Sequence, residues 1–420
     1  MSKVYKFGGA SVQDANAVKH LYNLLRTEQN SALLIVISAM GKTTNKLEKL
    51  VDAYFYKKEN AFDVLEEIKA FHYTILNDLF QNKNHAVYTA IDNLLVEIEW
   101  AIEDEPTGSY DFEYDQIVAL GEMLSTTVVS AYLSDQGIKN RWLDARDIIK
   151  TDNSHRIASI DWELSYQAID PLDTNGIIIT QGFIGITSEN FNTTLGREGS
   201  DFSAAVFAYL TNADSVTIWK DVPGLLNADP KWFDDTIKLD HISYHEAVEL
   251  AYYGATIIHP KTIKPLQNKK IPLWIKSFVN PTEKGTLIDS DDSDDDKITS
   301  YIFKVDQVLI SISAKDYSFI IEKNLEEIFK LFSEIGITIN LMQNSAISFS
   351  TCVDNDKLKL PQLINELQRS FQVLYNTNLE LVTIRHYNQK ILDKVTTDKA
   401  ILVEQKSRVT ARIVMRNKMD

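Results

Sequence analysis

One cysteine, Cys352, stands in 420 residues, so no disulfide can close within a single chain and a reducing compartment is expected. Basic residues are in deficit as well. Lys and Arg number 43 against 59 Asp and Glu, giving a formal net charge of −16 and a pI near 5.0. Nucleic acid and anionic membrane surfaces are bound through clustered Lys and Arg, so neither is an expected partner, whereas a small anion in a locally basic pocket stays open. Long apolar runs are absent too: residues 33–37 and 176–179 are strand-sized, well short of the roughly 20 residues of a membrane span. No charged-then-apolar signal pattern precedes the first strand, and the expected location is the cytoplasm. What is present is ordinary for a globular protein, with 44% hydrophobic and 24% charged residues, which excludes disorder over most of the chain. The length calls for two or three domains.

The first segment reads as strand (residues 4–7), Gly8-Gly9 turn, and helix (residues 12–27), with Val18, Leu21 and Leu25 at helical spacing. A nearly all-apolar strand follows at 33–37. Residues 45–103 are helical in pattern, and another helix is expected over 114–133, striped by Ile117, Leu120, Leu124 and Val128. Strands return at 141–143, 176–180, 215–219 and 271–277, with helices near 202–210, 243–253 and 260–267. Buried strands alternating with helices predict an α/β domain with a mostly parallel sheet over 1–288.

An acidic, serine-containing run, Asp289-Ser-Asp-Asp-Ser-Asp-Asp-Asp-Lys297, cannot bury itself and reads as a solvated linker over 289–300. A calcium loop would need a glycine and a closing Glu that are missing. Beyond it, strands at 308–313, 337–343, 346–353 and 371–375 with helices at 325–333 and 360–370 form a ferredoxin-like βαββαβ unit over 301–378. The tail, 379–420, has strands at 381–386, 400–404 and 409–415 and reads as a trimmed second copy. Met342 and Cys352 read as core.

Four polar turns follow strands, at the edge where open α/β sheets bind ligands. In Lys6-Phe-Gly-Gly-Ala-Ser11, Gly8 and Gly9 let backbone N–H groups approach phosphate oxygens, and Lys6 is placed to balance charge on a transferring phosphoryl group. A tight strand–helix connection would use the same glycines. Ser38-Ala-Met-Gly-Lys-Thr-Thr44 ends like a P-loop, but Val36 stands where its first glycine belongs; Ser38 and Thr44 can still donate to a carboxylate or phosphate. In Leu195-Gly-Arg-Glu-Gly-Ser-Asp201, Arg197 suits bidentate carboxylate recognition, while Ser200 and Asp201 open a helix and equally fit capping. Trp219-Lys-Asp-Val-Pro-Gly224, with Lys231 beyond it, could hold a nucleotide or be an ordinary turn. His241 and His245 share a helical spacing, without the carboxylate of a zinc motif between them.

These turns, with Gly121-Glu-Met-Leu-Ser125, Asp144-Ala-Arg146, Thr180-Gln-Gly-Phe-Ile-Gly185 and Gly254-Ala-Thr-Ile-Ile-His-Pro260, occur in the order seen in aspartate kinases. The resemblance covers nearly the whole chain and implies the amino-acid kinase sandwich followed by paired ACT regulatory modules, with no length left for a fused dehydrogenase. It implies ATP, Mg²⁺ carried on its phosphates, and L-aspartate as ligands. Lys6 matches the lysine that stabilises the transferring group, Gly8 and Gly9 the phosphate turn, and Asp201 the organiser of the catalytic lysines. Ser38, Thr44, Glu122, Arg197 and Ser200 match substrate positions, with Glu122 on the ammonium and Arg197 on a carboxylate. Lys220, Asp221 and Lys231 fall in the nucleotide segment. Glu122 lies off the apolar stripe of its helix and is free to face a pocket, as a solvated surface Glu would be. An amino-acid effector such as lysine or threonine is implied for the ACT region, with Asn340, Gln343 and Asn344 as candidates across a homodimer or larger assembly. A purely structural dimerisation module would use the same fold.

The sequence also departs from the family pattern. Ala10 replaces a threonine, Glu198 the middle glycine of Gly-Arg-Gly-Gly, Leu226 an aromatic residue, and Thr256 a frequent lysine, with Lys261 nearby.

Overall fold

The computed structural model describes every residue except 1, 29, 30, 171, 234, 256, 257, 317, 419 and 420. By internal contacts the chain forms two compact units. The first comprises residues 1–225, 238–248 and 257–292; the second comprises 226–237, 249–256 and 293–420.

Aliphatic, β-branched runs build the central sheet of the first unit, because such residues fit a pleat buried on both faces. Its strands are β1 (Ser2–Phe7), β2 (Ala32–Ile37), β3 (Asn140–Leu143), β4 (Ile177–Gln181), and, after the small hairpin β5 (Ile184–Ile186) and β6 (Asn192–Thr194), β7 (Ser215–Lys220), β8 (His241–Ser243), β9 (Leu273–Ser277) and β10 (Thr286–Asp289). The order is β3-β4-β2-β1-β7-β9-β10-β8, parallel throughout except for the antiparallel pair of β9 and β10. Val4, Phe7, Ile35, Ile37, Ile179 and Ile218 are completely buried along it.

The helices in chain order are α1 (Ala15–Leu25), α2 (Thr43–Tyr56), α3 (Ala61–Leu79), α4 (Ala86–Glu103), α5 (Tyr110–Val118), α6 (Leu120–Asp135), α7 (Ala145–Ile148), α8 (Trp162–Ile169), α9 (Gly199–Thr211), α10 (Tyr244–Tyr253) and α11 (Pro260–Lys269). The helix expected over 114–133 is thus two, meeting at Ala119. Taken together, residues 110–135 are long and apolar enough to cross a membrane, yet 83% of the most apolar stretch is buried inside the protein. That burial makes it core. α9 is apolar around most of its circumference and buried along nearly its whole length, as a central helix must be.

The second unit is a six-stranded antiparallel sheet with three helices. Its elements are β11 (Ser300–Ala314), α12 (Glu322–Ile335), β12 (Ile339–Asn344), β13 (Ser348–Asp354), α13 (Lys359–Ser370), β14 (Phe371–Arg385), α14 (Gln389–Thr396), β15 (Lys399–Lys406) and β16 (Thr410–Asn417). The expected βαββαβ order is present in β11 through β14. β11 and β14 are each 15 residues long and run through two halves of one sheet, in the order β12-β13-β11-β14-β16-β15. Val308, Ile310 and Ile312 pack with Ile328, Phe332, Leu363 and Leu367 of α12 and α13, while Val382, Ile384 and Ile413 pack with Leu392 of α14.

Three readings are corrected here. Residues 371–375 and 381–386 are not separate strands, because β14 bridges them through a register shift opposite Lys304, Gln307 and Leu309. Met342 is 51% exposed on β12, whereas Cys352 is fully buried. His241 lies on β8, not on a helical face with His245, and its Nε2 is 2.9 Å from Asp289 Oδ1.

Gly9 packs directly against the backbone of the neighbouring 39–41 loop. A Cβ there would sit 2.7 Å from the Gly41 carbonyl and 2.8 Å from the Ala39 carbonyl. Backbone atoms cannot yield as side chains do, so Gly9→Ala is expected to cost about 1–3 kcal/mol of stability, seen as a lower urea midpoint at unchanged slope.

Candidate active site

β1 and β7 are parallel neighbours, with Lys6 in register with Ile218, so their C-terminal ends carry Lys6 and Lys220 to the same edge. α9 begins at Gly199, which puts Asp201 in its first turn, where unpaired N–H groups and the dipole favour a carboxylate. Asp201 Oδ1 lies 2.6 Å from Lys6 Nζ and Oδ2 3.3 Å from Lys220 Nζ. Asp201 is only 3% exposed. Burial by itself would raise its pKa; the two ammonium groups outweigh that and hold the carboxyl below the usual carboxylate range. The result is a desolvated carboxylate shared by two lysines, with one positive charge in excess.

Glu122 occupies the first turn of α6, which approaches the 39–43 loop closely: a Cβ on Gly121 would come 2.8 Å from Leu47 Cδ1 and 3.4 Å from Ala39 Cβ. Glu122 Oε1 accepts the Ala39 N–H at 3.3 Å, and Oε2 is buried with no hydrogen-bond partner among the described residues. Burial pushes the Glu122 carboxyl up to about 8. Such a group is biased toward its neutral form and would ionise beside an incoming cation. Behind it, Thr126 Oγ1 donates to the Glu122 carbonyl at 2.9 Å and accepts from Trp142 Nε1 and Gln181 Nε2, which fixes the turn.

A cavity of about 300 Å³ is lined by Lys6, Ser38, Thr44, Glu122, Phe183, Gly196, Glu198, Gly199, Ser200, Asp201 and Lys220. It brings together Lys6, Ser38, Thr44, Glu122, Ser200, Asp201 and Lys220 from the residues selected by sequence. It does not include Gly8, Gly9, Arg197 or Asp221. Arg197 and Asp221 are exposed, and Gly9 serves loop packing. Lys231 belongs to the 226–237 segment of the second unit, as does Leu226. Asn340 is held within that unit's sheet by Lys304, Gln307 and Asp354, while Gln343 and Asn344 are exposed on β12. Thr256 lies outside the described residues. Lys261 donates to the Leu195 carbonyl at 3.3 Å and stands over the Phe202 ring rather than lining the cavity.

Phe183, which lines the cavity, and Gly182 beside it carry no role in the sequence reading. Phe183 adopts a φ of 71°, and Gly182 is pressed against Ser200, where a Cβ would be 2.5 Å from the serine Cβ. Their Gly-Phe pair sits inside a family-like motif, and only the close approach of two loops reveals the need for it.

The amino acid kinase family profile matches residues 1–277. Aspartokinase 2, chloroplastic, of Arabidopsis thaliana is 30% identical over 398 residues, spanning 88% of this chain and 70% of that protein. The chain belongs to the aspartokinases. Structures of E. coli aspartokinase III agree with the fold of this aspartokinase over nearly its full length. The complex with lysine and aspartate (T-state) gives a TM-score of 0.83 at 26% identity, covering 98% of this chain and 95% of that one. The complex with aspartate and ADP (R-state) gives 0.81 at 25%, covering 99% and 96%. The expected family and fold class, an α/β amino-acid kinase domain with a ferredoxin-like ACT-type region, are those of this aspartokinase.

The raised Glu122 pKa has a stability signature. The native state holds this proton to about pH 8, whereas an unfolded Glu releases it near 4.5. Native protein therefore binds more protons between those values, and stability falls as pH rises through that window. Glu122→Gln removes this term. Its urea midpoint should gain on the parent protein from pH 5 to pH 8; a constant difference would contradict the assignment.

Proposed function

We propose that this aspartokinase transfers the γ-phosphate of ATP to the β-carboxylate of L-aspartate, giving 4-phospho-L-aspartate and ADP, as the first step of aspartate-family amino-acid biosynthesis. The observation that carries the reading is the buried Asp201 between Lys6 and Lys220, facing a cavity that also holds Glu122. Phosphoryl transfer asks for positioning and charge neutralisation more than for a covalent nucleophile.

In this reading an oxygen of the substrate β-carboxylate attacks the γ-phosphorus while the bond to the β,γ-bridging oxygen breaks. Lys6 and Lys220 neutralise the equatorial and leaving oxygens, and Asp201 holds both ammonium groups in place. Glu122 takes the substrate ammonium, which draws the proton off its carboxyl. Ser38, Thr44 and Ser200 donate to the substrate carboxylates, and Arg197 would turn in from the surface to clamp one of them. Gly8, Gly9, Asp221 and Lys231 remain nucleotide-side candidates.

Among the described residues there is no group of three metal-binding side chains. In this reading Mg²⁺ is held mainly by the triphosphate, since this ion usually takes only one or two carboxylates from a protein. When bound it supplies further charge neutralisation.

The ACT-type region (residues 301–378 with 379–420) is proposed to bind an amino acid, with lysine the first candidate because E. coli aspartokinase III was solved with it. The kinase domain is placed at 1–288, and assembly as a homodimer or higher oligomer in the cytoplasm goes with this reading.

ATP-dependent hydroxamate formation with L-aspartate, Mg²⁺ and hydroxylamine tests the reaction. L-Aspartate should support it and L-glutamate should not. Lys6→Ala should lose about 100-fold or more in kcat, the range seen for a single charge-stabilising donor. Near-normal turnover by that variant would remove Lys6 from the mechanism.

A further inference from the structure

Glu198 stands where the aspartate kinase pattern has glycine, and its backbone explains the usual residue. Its φ is 52°, in the left-handed region that L side chains rarely adopt. A strained non-glycine residue at a functional cavity persists where the side chain contributes something. Here the side chain lines the cavity of Lys6, Asp201 and Lys220, and Oε2 is shielded from solvent without a hydrogen-bond partner among the described residues.

The charges around it narrow the role. Asp201 is committed to two lysines, and burial biases Glu122 toward its neutral form. Glu198 is left as the carboxylate with an open acceptor. Both substrates bring negative charge, so an unneutralised carboxylate in their cavity would repel them. A cation must accompany it, and the substrate ammonium already has Glu122. Lys6 and Lys220 line the same cavity, but both are drawn to Asp201, which leaves for Glu198 the divalent ion that travels with the nucleotide, whose usual ligands are phosphate oxygens plus one or two carboxylates.

We propose that Glu198 is a protein ligand for that ion, bound either directly or through one of its waters. The proposal rests on the kinase reading above. It makes this chain less dependent than a glycine-bearing relative on the phosphates alone to hold the metal.

The test is Mn²⁺ binding to the full-length protein in the presence of ADP, followed by electron paramagnetic resonance, with ADP affinity measured separately without metal. In Glu198→Gln and Glu198→Gly the Mn²⁺ affinity should weaken about tenfold or more, while metal-free ADP affinity stays within about twofold. The glycine variant relaxes the left-handed backbone, so a folding defect cannot account for its loss. Mn²⁺ affinity unchanged in both variants would overturn the proposal. Equal weakening of ADP binding without metal would overturn it too, by assigning Glu198 to the nucleotide itself. Absence of ADP binding by the parent protein would instead strike the kinase reading.

Discussion

The contact on which the site depends is the ion triad of Lys6, Asp201 and Lys220. Asp201 is buried, and a lone carboxylate there would face a desolvation cost of several kcal/mol. Two lysines from adjacent parallel strands meet that cost, and the first turn of α9 adds its dipole. The arrangement therefore constrains the fold around it. β1 must lie beside β7, both must end at the same height, and α9 must start beneath their ends. A buried triad adds little net stability over an apolar core, so its retention here fits a role in chemistry.

Glu122 complements this arrangement by opposite means. Asp201 is held ionised by its neighbours, whereas Glu122 is pushed toward its neutral form by burial and faces the same cavity. Two carboxyl groups with divergent ionisation at one site permit separate duties: one organises permanent positive charge, the other answers a substrate cation. Close loop packing maintains both. Gly9 against residues 39 and 41, Gly121 against Leu47 and Gly182 against Ser200 are places where the absence of a side chain lets neighbouring turns meet.

Much of this was legible in the sequence because the chemistry sits in short turns at strand ends. Lys6, Ser38, Thr44, Ser200, Asp201 and Lys220 come from such turns and Glu122 from the helical motif at 121–125, and they line one cavity. Other features depended on geometry that no local pattern encodes. The β5–β6 hairpin has strands of three residues, too few for an alternation to register. β14 continues through the polar stretch at 376–378 because β11 offers a partner on its whole length, and that pairing is non-local. Met342 looks like core on an apolar strand, but β12 is an edge strand with an open side. Arg197 fits the substrate motif by type and is nonetheless exposed, since the turn at Gly196 and Glu198 directs the glutamate to the cavity instead.

The central claim is that Asp201 organises two lysines for phosphoryl transfer rather than merely complementing the dipole in the first turn of α9. Steady-state turnover of Asp201→Asn, with ADP affinity and circular dichroism recorded on the same preparation, addresses it directly. Asparagine keeps the size of this first-turn side chain but cannot balance two ammonium groups. The account predicts that kcat falls by about 100-fold or more in a folded protein that still binds ADP. Turnover within a few-fold of the parent would contradict it and leave Asp201 a structural first-turn carboxylate.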